Sequence, residues 1–246
     1  MRATLAAVFL SAVVAGHATA ADQQHEEWLR LAVGNHFVVS FEGPREQYLA
    51  TDALVSLDNA YWRIGQTLNT YPSTPIQVVL YTTEAFRDIT RAPAWAAGSY
   101  DGTIRVPMRG ALATSDELNR VMAHEFTHAL IRTLAPRGVP MWLNEGLAAA
   151  LERDSIDWAN DMIKDAGGPM ALDRLRGSFD GLNADEARLA YATCAVAVRR
   201  LLDDAGGVAL SNLLRDLGAG EEFDSAFAHR MRRPFATFAA SLGDQP

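Results

Sequence analysis

Two hydrophobic periods divide this chain. Up to about residue 107 the apolar positions mostly alternate or run together, and beyond residue 114 they recur at three- and four-residue intervals. Phe37-Val38-Val39-Ser40-Phe41 predicts a strand closed by Gly43-Pro44. Leu49, Ala53, Leu57, Ala60, Ile64 and Leu68 then trace one face of a helix over 46–68, which Pro72 and Pro75 prevent from continuing. Ile76 to Tyr81 is β-branched and continuous enough for a central strand, and a short helix is expected over 83–89. Gly98 to Pro107 alternates and ends in proline, as an edge strand or hairpin does, with Asp101-Gly102 as its turn. Thr114-Ser115-Asp116-Glu117 is a capping box, and Leu118, Val121, Met122, Leu130, Ile131 and Leu134 continue the helix it opens until Pro136. Further helices are expected near 141–153, 186–204, 207–217 and 222–242, the last bent at Pro234.

The N-terminus changes the picture of where the chain works. Arg2, an apolar run from Leu5 to Ala15 and the exit Ala18-Thr19-Ala20 form a secretory signal peptide over residues 1–20, with cleavage expected after Ala20. The expectation is therefore a periplasmic or secreted protein whose working domain is 21–246, with an α/β lobe over about 35–135 and a helical lobe over about 136–246. No later stretch is apolar for long enough to span a membrane, so no stable span is expected after cleavage. A net charge of −8, a single lysine (Lys164) and no basic run beyond Arg230-Met231-Arg232-Arg233 argue against a nucleic-acid partner. Cys194 stands alone, so it forms no internal disulfide and reads as a packed helix residue. His25, His36 and His229 have no partner at ligand spacing. Oligomeric state leaves no mark on the sequence.

The chemistry concentrates in His124-Glu125-Phe126-Thr127-His128, inside the capped helix. Histidines at i and i+4 lie on one helix face, so both imidazoles reach a single ion. Glu125 sits beside that face, where it can take a proton from water at the ion. Zn²⁺ needs a third protein ligand and an open position, and Glu145 in Trp142-Leu143-Asn144-Glu145-Gly146 supplies the ligand from the following helix. A carboxylate between Met141-Trp142-Leu143 and Gly146-Leu147-Ala148 is costly unless paired or metal-bound. Two neutral imidazoles and one anion leave the ion a net positive Lewis acid, with Glu125 as general base.

This combination resembles the gluzincin metallopeptidases, and more closely the exported peptidase MA-like family. The resemblance covers roughly 35–217, including "PIQVVLYTTEAF", "WAAGSYDGTIRVP", "VPMWLNEGLA" and "AYATCAVAVRRLL". It implies an α+β, zincin-like fold: an N-terminal mixed-sheet lobe, the motif helix at its base and a helical C-terminal lobe. It also implies zinc-dependent hydrolysis of peptide bonds in a peptide or protein substrate. Tyr191 stands where the family places a tyrosine facing the metal, which implies a second donor to the developing oxyanion. The segment with Tyr100, Gly102 and Ile104 matches the strand that pairs with extended substrate. Thermolysin-like members carry an aspartate four residues after the glutamate ligand, and this chain has Ala149 there, leaving Asn144, Glu152 or a backbone carbonyl to orient the histidines. Two rival functions share the same residues: a non-catalytic zinc- or peptide-binding envelope domain, and a zinc amidase acting on cell-wall material.

Overall fold

The computed structural model describes residues 30–41, 47–81, 99–100, 102–107 and 115–243. The signal peptide expected over 1–20, the helix expected over 83–89, Asp101 and Thr114 lie outside the described residues. The elements run β1 (Arg30–Val33), β2 (Phe37–Phe41), α1 (Gln47–Leu68), β3 (Ile76–Tyr81), β4 (Ser99–Tyr100), β5 (Ile104–Pro107), α2 (Ser115–Leu134), α3 (Met141–Leu151), α4 (Asp157–Asp165), a 3₁₀ turn (Leu172–Leu175), α5 (Ala184–Ala219), α6 (Phe223–Met231) and α7 (Phe235–Ala240). Among the described residues, five strands form one sheet in the order β1-β2-β3-β5-β4. Its centre is parallel, β2 to β3 to β5, and both outer strands are antiparallel to their neighbours. The fold is α+β, as the change of period predicts.

One sheet face carries the core. Phe37, Val39 and Phe41 alternate inward and are buried, as a period of two requires. The Phe37 ring meets Tyr61 of α1 edge-on at 6.3 Å and Phe126 of α2 at 5.7 Å. Both helices therefore seat on the same face, and Phe126, in the middle of the histidine motif, fixes the rotation of α2. With Phe126 turned toward the sheet, its neighbours on the helix turn toward α3.

The start of α3 is held by aromatics. Trp142 is fully buried, stacked on Phe235 at 5.6 Å and flanked by Phe223 at 6.1 Å and Phe238 at 6.4 Å. Arg176 closes this cluster, its guanidinium 4.5 Å from the Phe235 centroid and 5.0 Å from that of Phe223. Immediately after Glu145, Gly146 lets α3 lie on α5: a Cβ there would stand 2.5 Å from the Cys194 carbonyl oxygen. α5 itself joins the two helices expected over 186–217 into one, kinked at Gly206 (φ 79°). The expected helix over 222–242 is instead two, α6 and α7, because Arg232 takes a left-handed conformation (φ 55°) just before Pro234. β1 and α4 are not among the expected elements: β1 is only four residues long, and α4 is a short helix whose apolar face carries Ala159, Met162 and Ile163. No helix among the described residues is long and apolar enough to cross a membrane.

The α3–α5 contact yields a test. Gly146→Ala gains helix propensity yet drives a methyl into a backbone carbonyl, so it should destabilise by about 1–3 kcal/mol. Thermal unfolding reads this as a lowered midpoint; an unchanged or raised midpoint contradicts the close packing.

Candidate metal and catalytic site

Helix periodicity brings the two histidines together, and the Trp142 anchor brings α3 to them. The His124 and His128 rings lie 4.8 Å apart, edge to face. Glu145 Oε2 is 3.7 Å from His124 Nε2 and 3.7 Å from His128 Nε2. All three side chains are buried, Glu145 completely, and one ligand atom from each lies within 4.8 Å of the others. Neither Nε2 atom nor Glu145 Oε2 makes a hydrogen bond. Buried polar atoms that converge without satisfying one another are rare in folded proteins and costly. Ligands at 2.0–2.2 Å in a tetrahedron stand about 3.4 Å apart. The residues present thus fit a zinc ion in donor type, in separation and in the orphaned atoms they leave.

The outer nitrogens are all committed. His124 Nδ1 lies 2.8 Å from Glu152 Oε2. A carboxylate can only accept, so Nδ1 carries the proton and leaves Nε2 its lone pair. Asn144 Nδ2 donates to Glu145 Oε1 at 3.3 Å, which orients the amide so that its Oδ1 accepts from His128 Nδ1, also at 3.3 Å. One asparagine therefore sets both a histidine and the carboxylate beside it.

Of the groups that the sequence leaves to orient the histidines, Glu152 is the one that reaches His124. Ala149 is buried among Ala159, Ala192 and Ala195 under Trp158, so α4 and α5 occupy the space beside it. Glu152 follows Glu145 by seven residues, two helical turns, and returns to the same face about 10 Å further along. His124 spans that gap, with Nε2 toward Glu145 and Nδ1 toward Glu152. Arg120, one turn before His124 on α2, donates to Glu152 Oε1 at 3.4 Å. Sequence reading missed Arg120, although its i−4 spacing to His124 is the signal that finds it.

The cluster's electrostatics call for positive charge. Burial works against a charged His124, but its contacts with Glu145 and Glu152 win and raise its pKa to about 10. For His128 burial prevails and the value falls to about 4. Burial also opposes ionisation of Glu152, yet its hydrogen bond to His124 and the charges of His124 and Arg120 carry the net shift downward. A proton and a metal ion compete for the same His124 Nε2.

Glu125 is 1% exposed, one residue along α2 from His124. Tyr191, on α5, is buried against Phe179, whose ring meets it edge-on at 5.5 Å. Burial and the nearby Glu145 carboxylate push its phenol well above the usual range, so it stays protonated. Cys194, one turn further, is fully buried, and its thiol is pushed up by the same burial. The β4–β5 segment departs from expectation. Ile104 is fully buried in β5, an interior strand hydrogen-bonded to β3 and β4, so it offers no free edge to a peptide. The outer strand is β4, with Tyr100 paired to Ile104, and Gly102 is an exposed turn residue at φ 119°. His36 lies away from the cluster, stacked on Tyr61 at 3.8 Å with Nδ1 3.1 Å from Asp58.

No protein-family model matches this sequence, and no curated protein matches it. Among solved structures it is similar to Legionella pneumophila aminopeptidase A in complex with aspartic acid: TM-score 0.57, 15% identity, over 87% of this chain and 28% of that one. Native yeast LTA4 hydrolase aligns with a TM-score of 0.48 at 13% identity, over 84% of this chain and 39% of the other. The chain thus spans well under half the length of either. The first likeness is one of fold alone.

Proposed function

We propose that this chain is an exported zinc metallopeptidase that hydrolyses peptide bonds, with His124, His128 and Glu145 as ligands and Glu125 as general base. The observation that carries the reading is the set of three buried, unsatisfied ligand atoms, each histidine held by an acceptor on its far nitrogen. A purely structural zinc site fills all four positions with protein ligands, whereas three ligands beside a buried carboxylate suit catalysis. The aminopeptidase named among the fold neighbours supports a peptide substrate.

When bound, zinc supplies Lewis acidity and lowers the pKa of water at its open position. The remaining work falls to the chain's own groups. Glu125, one residue from His124, accepts the proton of the attacking water and returns it to the leaving amine. Its burial keeps bulk water from competing for that proton. Tyr191, kept protonated by burial and by Glu145, offers an O–H to the oxygen on which negative charge develops. Asn144 and Glu152 hold the imidazoles in the tautomer that presents Nε2. The edge strand with Tyr100 offers main-chain groups to an extended substrate, which suits a sequence-tolerant peptidase. The basic start, apolar run and small-residue exit over residues 1–20 support export.

Glu125→Gln keeps the shape of the site and removes the base. Hydrolysis of a peptide library should fall by roughly 10²–10⁴-fold with zinc content unchanged; wild-type turnover in this variant sinks the mechanism. A strong chelator should abolish activity and one equivalent of zinc restore it, while chelator-resistant hydrolysis argues for another site. Zinc at about 100 times its Kd should add about 2.7 kcal/mol to stability, read as a raised melting temperature. His128→Ala should lose that increment.

A further inference from the structure

Glu152 is contested. Its carboxylate sits between His124 and Arg120 on the inner side, and Arg153 Nε stands 3.5 Å from the same Oε1 that Arg120 engages. The two arginines differ in setting: the Arg120 side chain is 7% exposed and that of Arg153 is 52% exposed. Glu152 and Arg153 also line a cavity of about 240 Å³, together with Arg63, Asp154, Ser56 and Asn119. The cavity gives the carboxylate somewhere else to go. Turned outward, it would meet two cations and water, and His124 Nδ1 would lose its acceptor.

We infer that Arg120 is a positioning residue for the metal centre: it pins Glu152 inward so that Glu152 holds His124 in the metal-binding tautomer and orientation. The inference rests on the zinc reading above. Arg120 and His124 are one turn apart on α2, so a single helix face presents both groups to the two oxygens of one carboxylate. That face is rigid because Phe126 is packed against the sheet. Arg153 belongs to the same chain segment as Glu152 and moves with it, so it cannot fix the carboxylate relative to His124. A buried carboxylate also carries a desolvation cost that a cation from the opposing helix offsets.

The two arginines supply the control, because replacing either removes one positive charge beside the same oxygen. The readout is the zinc dissociation constant of the purified full chain, by competition with a chromophoric chelator, alongside a thermal melt. Arg120→Met should weaken zinc binding about tenfold, within the 10–100-fold range for groups that orient metal ligands. Arg153→Met should stay within about twofold, since exposed ion pairs contribute little. Glu152→Gln should weaken zinc at least as much as Arg120→Met. The double variant Arg120→Met/Glu152→Gln should be no weaker than Glu152→Gln alone, because Arg120 acts through Glu152. If Arg120→Met does not fold, Arg120→Lys keeps the buried charge and loses the guanidinium fork, and should bind zinc a few-fold more weakly. Wild-type affinity in whichever Arg120 variant folds overturns the inference. So does equal weakening by Arg153→Met, or additive losses in the double variant. A wild-type chain that takes up no zinc overturns the metal reading itself and is thereby distinguished from these outcomes.

Discussion

Burying a carboxylate between two buried imidazoles is the constraint around which this molecule is arranged. Glu145 is wholly excluded from solvent and faces two nitrogens at distances too long for hydrogen bonds, which is unfavourable unless a cation completes the set. Holding that geometry requires α2 and α3 to be placed accurately, and much of the fold does this. Phe126 locks the rotation of α2 against the sheet. Trp142 locks the start of α3 in a cage of phenylalanines. Gly146 lets α3 approach α5 closely enough for Tyr191 to face the same carboxylate.

The histidines are oriented by groups that are themselves held. Asn144 serves His128 and Glu145 at once, and Glu152 serves His124 and is gripped by Arg120. Every one of these side chains comes from α2, from α3 or from the residue that caps α3, so the His124–His128–Glu145 cluster and its supports form a two-helix unit. The sheet, α1 and α5 wedge that unit from outside. Change at the periphery of the fold therefore reaches the site chiefly by shifting one helix against the other.

Much of this was legible in the residues because helical spacing projects directly onto a face. The i, i+4 histidines and Glu125 beside them follow from that rule, the apolar run around Glu145 marks it as a carboxylate that needs a partner, and the capping box marks where α2 begins. What periodicity cannot supply is which helix faces which. That Glu152, among the groups left to orient the histidines, is the one on His124 needed the packing of α2 against α3 to be seen. Arg120 shares a helix face with His124, a spacing visible in the sequence, but the carboxylate that gives this spacing its meaning lies 32 residues away. The strand pattern at 98–107 indicated a hairpin but not its place in the sheet. That order, which makes β5 interior and β4 the edge, moves Ile104 into the core and leaves Tyr100 beside the open side.

Anomalous X-ray diffraction at the zinc edge, on crystals of protein purified without chelator and soaked in one equivalent of zinc, tests the central claim most directly. The account predicts a single strong peak within 2.0–2.2 Å of His124 Nε2, His128 Nε2 and a Glu145 oxygen, with Glu152 still on His124 Nδ1. An empty cluster in which a protonated His124 bridges Glu145 and Glu152, or a peak held by other residues, would contradict it.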